Sequence, residues 1–364
     1  MNLTTQSSSV MVGGDGANSY AKNSYLQRNI AIAAKEAMAE ALMEALDMPT
    51  LLSTKSTKLV TIADLGCSVG PNTLVAMQEI IDIVATKCHM QGIDPKTIEF
   101  QVFFNDQITN DFNTLFASIP NDKNYFAAGV PGSFYDILFP SSSIHIAYSS
   151  CSLHWLSKVP KDLEDENSPA WNRGRIHYKD APEAVLKAYT KQFEKDIDDF
   201  LKARAREIVS GGVIVALLPG VRDEGIEHDV GVMINFLGDI LIEMVKKGLL
   251  KHRKVDAFNI PNVYPSLKEM RRIVENNGSF RILRMELVDV LAKSKKSRVD
   301  MTNLVMHLRA FTEPIVASHM GHEIVEEIFT RALEQKEKLF QMFYSDERAE
   351  NIGLQLFFVL QRKP

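Results

Sequence analysis

Residues 64–73 read Asp64-Leu65-Gly66-Cys67-Ser68-Val69-Gly70-Pro71-Asn72-Thr73. The glycines permit a tight turn and a close approach of backbone to a ligand. A dinucleotide fingerprint spaces its glycines as G-x-G-x-x-G. Here the spacing is G-x-x-x-G, with Asp64 two positions ahead of Gly66. A carboxylate at that point repels phosphate and attracts a cation. The loop therefore suits the amino-acid end of S-adenosylmethionine, unless it is a glycine-rich turn without a ligand. Further on, Phe103-Phe104-Asn105-Asp106 ends in a carboxylate. It either accepts hydrogen bonds from ribose hydroxyls or caps a helix. In Gly129-Val130-Pro131-Gly132-Ser133-Phe134-Tyr135 the Pro-Gly-Ser is a turn. Phe134 there either stacks on an adenine or belongs to the core.

These segments need strands and helices to hold them. Leu26, Ile30, Ala33, Ala34, Ala37, Met38, Ala41, Leu42 and Ala45 recur at helical spacing, which predicts a helix over 26–46. Strands are expected at 59–65, 100–105, 144–149, 213–218 and 354–360. Helices are expected at 72–87, with Pro71 at its start, and at 181–209, ended by Gly211-Gly212. Strands alternating with helices through 59–218 imply a doubly wound, mostly parallel α/β sheet. The mostly helical stretches 225–275 and 301–342 are read as a cap over its carboxyl edge, where such sheets bind ligands. The expected division is an arm at 1–25 closing over the site, an α/β domain at 26–220 and 345–364, and a cap at 221–344.

Composition narrows the function. The chain has 364 residues, 41 basic and 46 acidic, for a net charge of -5. Phosphate contacts need clustered Lys and Arg, so nucleic acid is not an expected partner. The basic run 293–298 reads as a solvated loop. Three cysteines, Cys67, Cys88 and Cys151, form neither a disulfide framework nor a zinc cluster, which fits a reducing compartment. No apolar run reaches the ~18–20 residues that span a bilayer. Residues 1–16 are polar and rich in Gly and Ser, unlike a secretory signal. A cytoplasmic protein with no membrane contact is expected, and the glycosylation patterns at Asn2 and Asn277 are read as chance. His319-Met320-Gly321-His322-Glu323 lacks the H-E-x-x-H order and is read as helix surface.

The opening Gly13-Gly14-Asp15-Gly16-Ala17-Asn18-Ser19-Tyr20-Ala21-Lys22-Asn23-Ser24-Tyr25-Leu26-Gln27 resembles the signature of the plant SABATH methyltransferases. The 64–73 loop, Phe104-Asn105-Asp106, Asn110-Asp111-Phe112-Asn113, the 129–135 segment, Ser152-Leu153-His154-Trp155-Leu156-Ser157 and Asp256-Ala257-Phe258-Asn259 match that family in order, over essentially the whole chain. The resemblance implies a Rossmann-like methyltransferase fold with an α-helical cap, and a homodimer. It implies that Tyr20, Asp64, Cys67, Asn72, Asp106, Gln107, Ser133 and Phe134 surround S-adenosylmethionine. It places Gln27 and Trp155 on the carboxylate of the acceptor, with Tyr20, Cys151, His154 and Ile234 facing that acceptor. Some members also carry a structural Mg2+ site, here Asn172, Asp256, the backbone oxygen of Phe258, and Asn259.

The implied reaction is methyl transfer to the carboxylate of a small specialised-metabolite or hormone-like acid, giving a methyl ester. A carboxylate with a pKa of about 4 is already ionised at neutral pH, so no general base is required. The work is desolvation and aim. Gln27 and Trp155 supply neutral N–H donors that orient a carboxylate without the strong ground-state hold of an arginine. His154 is then a wall or a hydrogen-bonding group; a His-Trp pair can equally be structural. N-methylation of a xanthine-like heterocycle is the alternative, and a non-catalytic binder is the third reading.

Departures from the salicylate branch bear on the acceptor. That branch typically has Tyr at Cys151, commonly Met at His154, and Trp where the alignment places Ile234. Freed volume predicts an acid bulkier than salicylate: terpenoid, iridoid, alkaloid or aryl-alkyl. Phe126-Ala127-Ala128-Gly129 and the 171–178 segment resemble the loganate enzymes, while Cys151 departs from them; it can also be a neutral packing change. Asn235, His307, Leu308 and Phe311 are further candidates for the pocket wall.

Overall fold

Seven strands form one sheet in the order β3-β2-β1-β4-β5-β7-β6 in a computed structural model that describes residues 11–52, 58–223, 228–290, 300–344 and 353–364. They are β1 (Leu59–Leu65), β2 (Glu99–Asp106), β3 (Phe126–Pro131), β4 (Ile144–Ser150), β5 (Ile208–Pro219), β6 (Phe280–Asp289) and β7 (Leu354–Arg362). β3, β2, β1, β4 and β5 run parallel, while β7 and β6 are antiparallel additions. The strand order reverses between β1 and β4, so a crevice opens at their carboxyl ends. Asp64 pairs with Phe104 on one side and Tyr148 on the other. That register brings Asp64, Asp106 and Ser150 to one rim.

The apolar spacing of the first long helix, α2 (Tyr25–Ala45, after the short α1, Tyr20–Asn23), becomes a buried stripe of Ile30, Ala34, Met38, Ala41 and Leu42. α3 (Met48–Leu52) follows. Pro71 sits at the first position of α4 (Pro71–Met90), where its missing N–H costs nothing. α5 (Phe112–Ala117) starts at an N-cap, Asp111, whose carboxylate accepts from Thr114 N. α6 (Glu183–Glu207) ends two residues before the expected boundary, and β5 takes over at Ile208. Gly211-Gly212 therefore lies inside the strand. Gly211 adopts φ 79°, and the β4–β5 register shifts between Ile144 and Ile146. A Cβ on Gly212 would come within 2.7 Å of the His145 carbonyl. The glycines make a bulge rather than a helix stop.

The cap is built from α7 (Asp229–Lys246), α8 (His252–Asp256), α10 (Met301–Met320), α11 (Val325–Glu334) and α12 (Lys336–Phe343), packed on Phe236, Leu237, Leu304, Ile328 and Phe329. The stretch expected as cap is interrupted: after α9 (Leu267–Asn277), β6 returns to the sheet beside β7. Residues 11–25 of the expected arm lie across the cap and α/β layers. Val12 N donates to Ala310 O in α10 at 3.0 Å, and Gly14 N donates to Asp111 at 2.9 Å. The rest of that arm, Asn2 and the run 293–298 fall outside the described residues.

Candidate active site

The loop after β1 turns sharply. Gly66 has φ 89°, and a side chain there would collide with Ser152. Gly66 N and Cys67 N both donate to Asn105 O, at 2.9 and 3.0 Å. Ser68 N donates to Asp106 Oδ2 at 2.7 Å, and Gln107 N donates to Oδ1 at 2.8 Å. Asp106 therefore caps no helix; it ties the two loops together and keeps lone pairs to spare. Thr73 donates its hydroxyl to Asp64. Burial lifts the Asp64 carboxyl to about 7, against the Thr73 bond and with help from Asp106. Burial lifts Asp106 to about 6, against its two backbone bonds.

These residues line two adjoining clefts. Asp106, Gln107, Ser133 and Phe134 line one of about 1230 Å³, its mouth included. Asp64, Cys67 and Asn72 line a smaller one, and Tyr20 lines both. Asn72 also donates to Ser24 O and Oγ, at 3.1 and 3.0 Å, which ties α4 to the start of α2. Ser68 Oγ is buried without a partner in the wall of both clefts. A carboxylate pair, a bare hydroxyl and an aromatic wall fit a cationic nucleoside. Asp64 suits its ammonium, Asp106 its ribose and Phe134 its base.

Patterning along the chain did not single out what holds Phe134. Arg204 and Glu207 form a wholly buried ion pair, Nε to Oε2 at 2.7 Å. Arg204 also donates to Phe134 O at 2.7 Å and Asp136 O at 2.9 Å. Glu207 Oε1 accepts from Leu138 N and Phe139 N, at 2.5 and 3.0 Å. One pair thus grips the 134–139 segment at four backbone points.

A third cavity, of about 840 Å³ with its mouth, shares Met11, Tyr20, Cys151 and Trp155 with the larger cleft. It gathers Tyr20, Gln27, Cys151, His154 and Trp155, and also His307 and Phe311. Asn235 and Leu308 are not on its wall. Ile234 is not on the wall either; it is fully buried in the cap core, and its neighbour Met233 faces the cavity. Asn29, His228, Asp229 and Gln355, unforeseen from sequence, add to its polar lining. No Lys or Arg among the described residues lines it.

His307 fixes Gln27. Its Nδ1 lies 2.8 Å from Asn23 O, so it carries the proton there and leaves Nε2 as an acceptor. Gln27 Nε2 lies 3.4 Å from that atom. The second N–H of Gln27 remains available to a ligand. Trp155 is held by Tyr135 Oη on its carbonyl at 2.6 Å and by the ring of Phe311 edge-on at 6.1 Å. The Trp155 side chain lines the cavity. Burial pushes His307 down to about 4 and His154, which also faces His228, down to about 3. The Cys151 thiol is pushed up to about 12 by burial. These groups are neutral near pH 7.

None of the four expected metal ligands lines any of the three cavities, and two of them, Asn172 and Asn259, touch. Asn172 Nδ2 donates to Asn259 Oδ1 at 2.9 Å. Asn172 Oδ1 and Asp256 Oδ1 are buried and unpartnered. Among the described residues no group of three His, Cys, Asp or Glu forms a metal cluster, and no helix is long and apolar enough to cross a membrane.

A family model described as SAM dependent carboxyl methyltransferase matches residues 6–363. The chain is 42% identical to loganic acid O-methyltransferase of Catharanthus roseus over 97% of its own length and 94% of that protein. It is 40% identical to farnesoic acid carboxyl-O-methyltransferase of Arabidopsis thaliana, over 97% and 98% respectively. A solved structure of a loganic acid methyltransferase with SAH superposes with a TM-score of 0.91 at 41% identity, covering 97% of this chain and 99% of that one.

Proposed function

The chain belongs to the S-adenosylmethionine-dependent carboxyl methyltransferases, and we propose that its own acceptor is the carboxylate of an acid bulkier than salicylate, held by Gln27 and Trp155. S-adenosylmethionine, when bound, supplies a methyl group already activated for transfer. The observation that carries the reading is the acceptor cavity itself: neutral donors on Gln27 and Trp155, no described cation, histidines and a thiol that are neutral near pH 7, and one carboxylate, Asp229, which accepts from Gly353 N at 2.6 Å. An ionised carboxylate needs orientation and desolvation, and no proton need be removed from it. A heterocyclic N–H would need a base, and His154, with its pKa near 3, is a weak one. Tyr20 stands where the acceptor cavity opens to the cofactor clefts. Cys151 supports the larger acceptor; Ile234, buried in the cap, adds no volume. Relatives named for loganic and farnesoic acids support the same size class.

Trp155→Phe keeps a flat ring and removes the N–H. It is expected to cost about 1–3 kcal/mol in kcat/KM for the acceptor, with the KM for S-adenosylmethionine unchanged. Steady-state kinetics on both substrates read this out, and wild-type turnover would reduce the indole to a wall.

Asp64 and Asp106 give the cofactor site a pH dependence. Both folded pKa values lie above the ordinary carboxyl range. Their contribution to stability is therefore full below about pH 4 and is lost as pH rises toward 7. A bound ammonium and ribose favour the ionised forms, so ligand binding offsets that loss. The rise in melting temperature caused by S-adenosylhomocysteine should be larger at about pH 8 than at about pH 5. Equal rises would separate both carboxyls from the ligand.

In the same reading Asn172, Asp256, the Phe258 carbonyl and Asn259 hold a structural Mg2+, supported by the two bare buried oxygens. Hard oxygen donors suit that ion. Mg2+ should then raise the melting temperature of chelator-treated protein without changing the KM for the acceptor, and no rise would remove the ion. The family resemblance extends the reading to a homodimer, and the cysteine usage extends it to the cytoplasm. Light scattering and a fluorescent fusion test the two parts.

A further inference from the structure

We propose that the acceptor acid carries a hydroxyl on its body, away from the carboxylate, and that Gln355 with His154 reads it. The inference rests on the carboxylate reading above and narrows its substrate class. Gln355 is the second residue of β7, in a run of otherwise apolar buried residues, and is only 3% exposed. Its side chain lines the acceptor cavity, and its Oε1 has no partner. The amide nitrogen sits 3.4 Å from His228 Nε2. That contact is not a useful hydrogen bond. His228 Nδ1 accepts from Val230 N at 3.2 Å, so the ring proton is on Nε2, where it meets Leu354 O at 2.7 Å. Two donors therefore face each other. Turning the amide over would give Oε1 a share of that proton and leave the NH2 bare instead. Either way one end of a buried amide has nothing to bond.

His154, 4% exposed, adds a second bare atom, Nδ1, in the wall of the same cavity. Gln27 Oε1, at the carboxylate end of the cavity, is a third. Buried polar atoms without partners are costly, and a native site that keeps several of them commonly completes them with a ligand. A hydroxyl both donates and accepts, so it satisfies the amide in either orientation and still serves the imidazole. It forms a second polar point in the cavity, separate from the Gln27–His307 pair. A site built this way penalises an analogue that lacks the hydroxyl, because the buried groups are left unpaired.

The test uses the full chain with S-adenosylmethionine and matched pairs of acids: decanoic against ω-hydroxydecanoic, citronellic against hydroxycitronellic, and phenylpropionic against its para-hydroxy form. The best-used pair should favour its hydroxylated member by roughly tenfold or more in kcat/KM. Gln355→Leu should abolish or invert that preference while the KM for S-adenosylmethionine holds. Gln355→Met is a second variant of similar volume, and the wild-type ratio needs no variant at all. Equal use of both members by the wild type, or an unchanged ratio in both variants, overturns the inference and leaves the carboxylate reading standing. Absence of methyl ester from every acid overturns that reading instead.

Discussion

Asp106→Ala should raise the KM for S-adenosylmethionine by about 100-fold or more. A charged acceptor facing two ribose hydroxyls contributes on the order of 1.5–3 kcal/mol per bond, and each 1.4 kcal/mol is tenfold. The same carboxylate accepts from Ser68 N and Gln107 N, so its loss also frees the two loops that shape the cleft. The acceptor's kcat at saturating cofactor should fall much less, because Gln27 and Trp155 stand on other elements. Titration calorimetry with S-adenosylhomocysteine separates binding from turnover. An unchanged dissociation constant would remove Asp106 from the cofactor site.

Arg204→Met alone, or Glu207→Leu alone, should destabilise the fold by about 3–5 kcal/mol. Removing one partner of a buried pair leaves the other charge without compensation. Here both side chains are almost wholly buried, and their remaining atoms hold the backbone of the 134–139 segment. That segment carries Phe134, so the KM for S-adenosylmethionine should rise with the loss of stability. Urea unfolding and cofactor kinetics read the two effects. The double variant should regain part of the stability, as apolar replacements of buried pairs do, yet keep the raised KM, since Phe134 O and Asp136 O still lack their donor. A shift below about 1 kcal/mol in either single variant would contradict the assignment.

The parts legible in the sequence are those whose signal is local and contiguous. β1, β4, β5 and β7 lie inside the sheet, so they read as mainly apolar runs. β3 and β6 are the two edges; their residues are half-exposed, and neither run resembles a buried strand. The 64–73 loop and Asp106 sit at the ends of adjacent parallel strands, so chain order alone brings them together. The acceptor cavity does not work that way. It collects Gln27 from α2, Trp155 from the segment after β4, Met233 from α7, His307 from α10 and Gln355 from β7. α7 is buried on nearly every face, so its periodicity cannot tell Ile234 from Met233. Arg204 and Glu207 have the spacing of an ordinary surface ion pair three residues apart, and nothing local shows that the end of α6 is covered. Gln355 left one trace, a lone amide in an apolar strand.

The central claim is ester formation on an acid too bulky for a salicylate-type pocket. The direct measurement is the product formed from methyl-labelled S-adenosylmethionine with a panel of terpenoid, iridoid, alkaloid and aryl-alkyl acids, salicylate and xanthines. The expected result is a label on a bulky acid that mild base releases as methanol, with little on salicylate. Label retained through base on a purine nitrogen, or salicylate as the preferred acceptor, would contradict it.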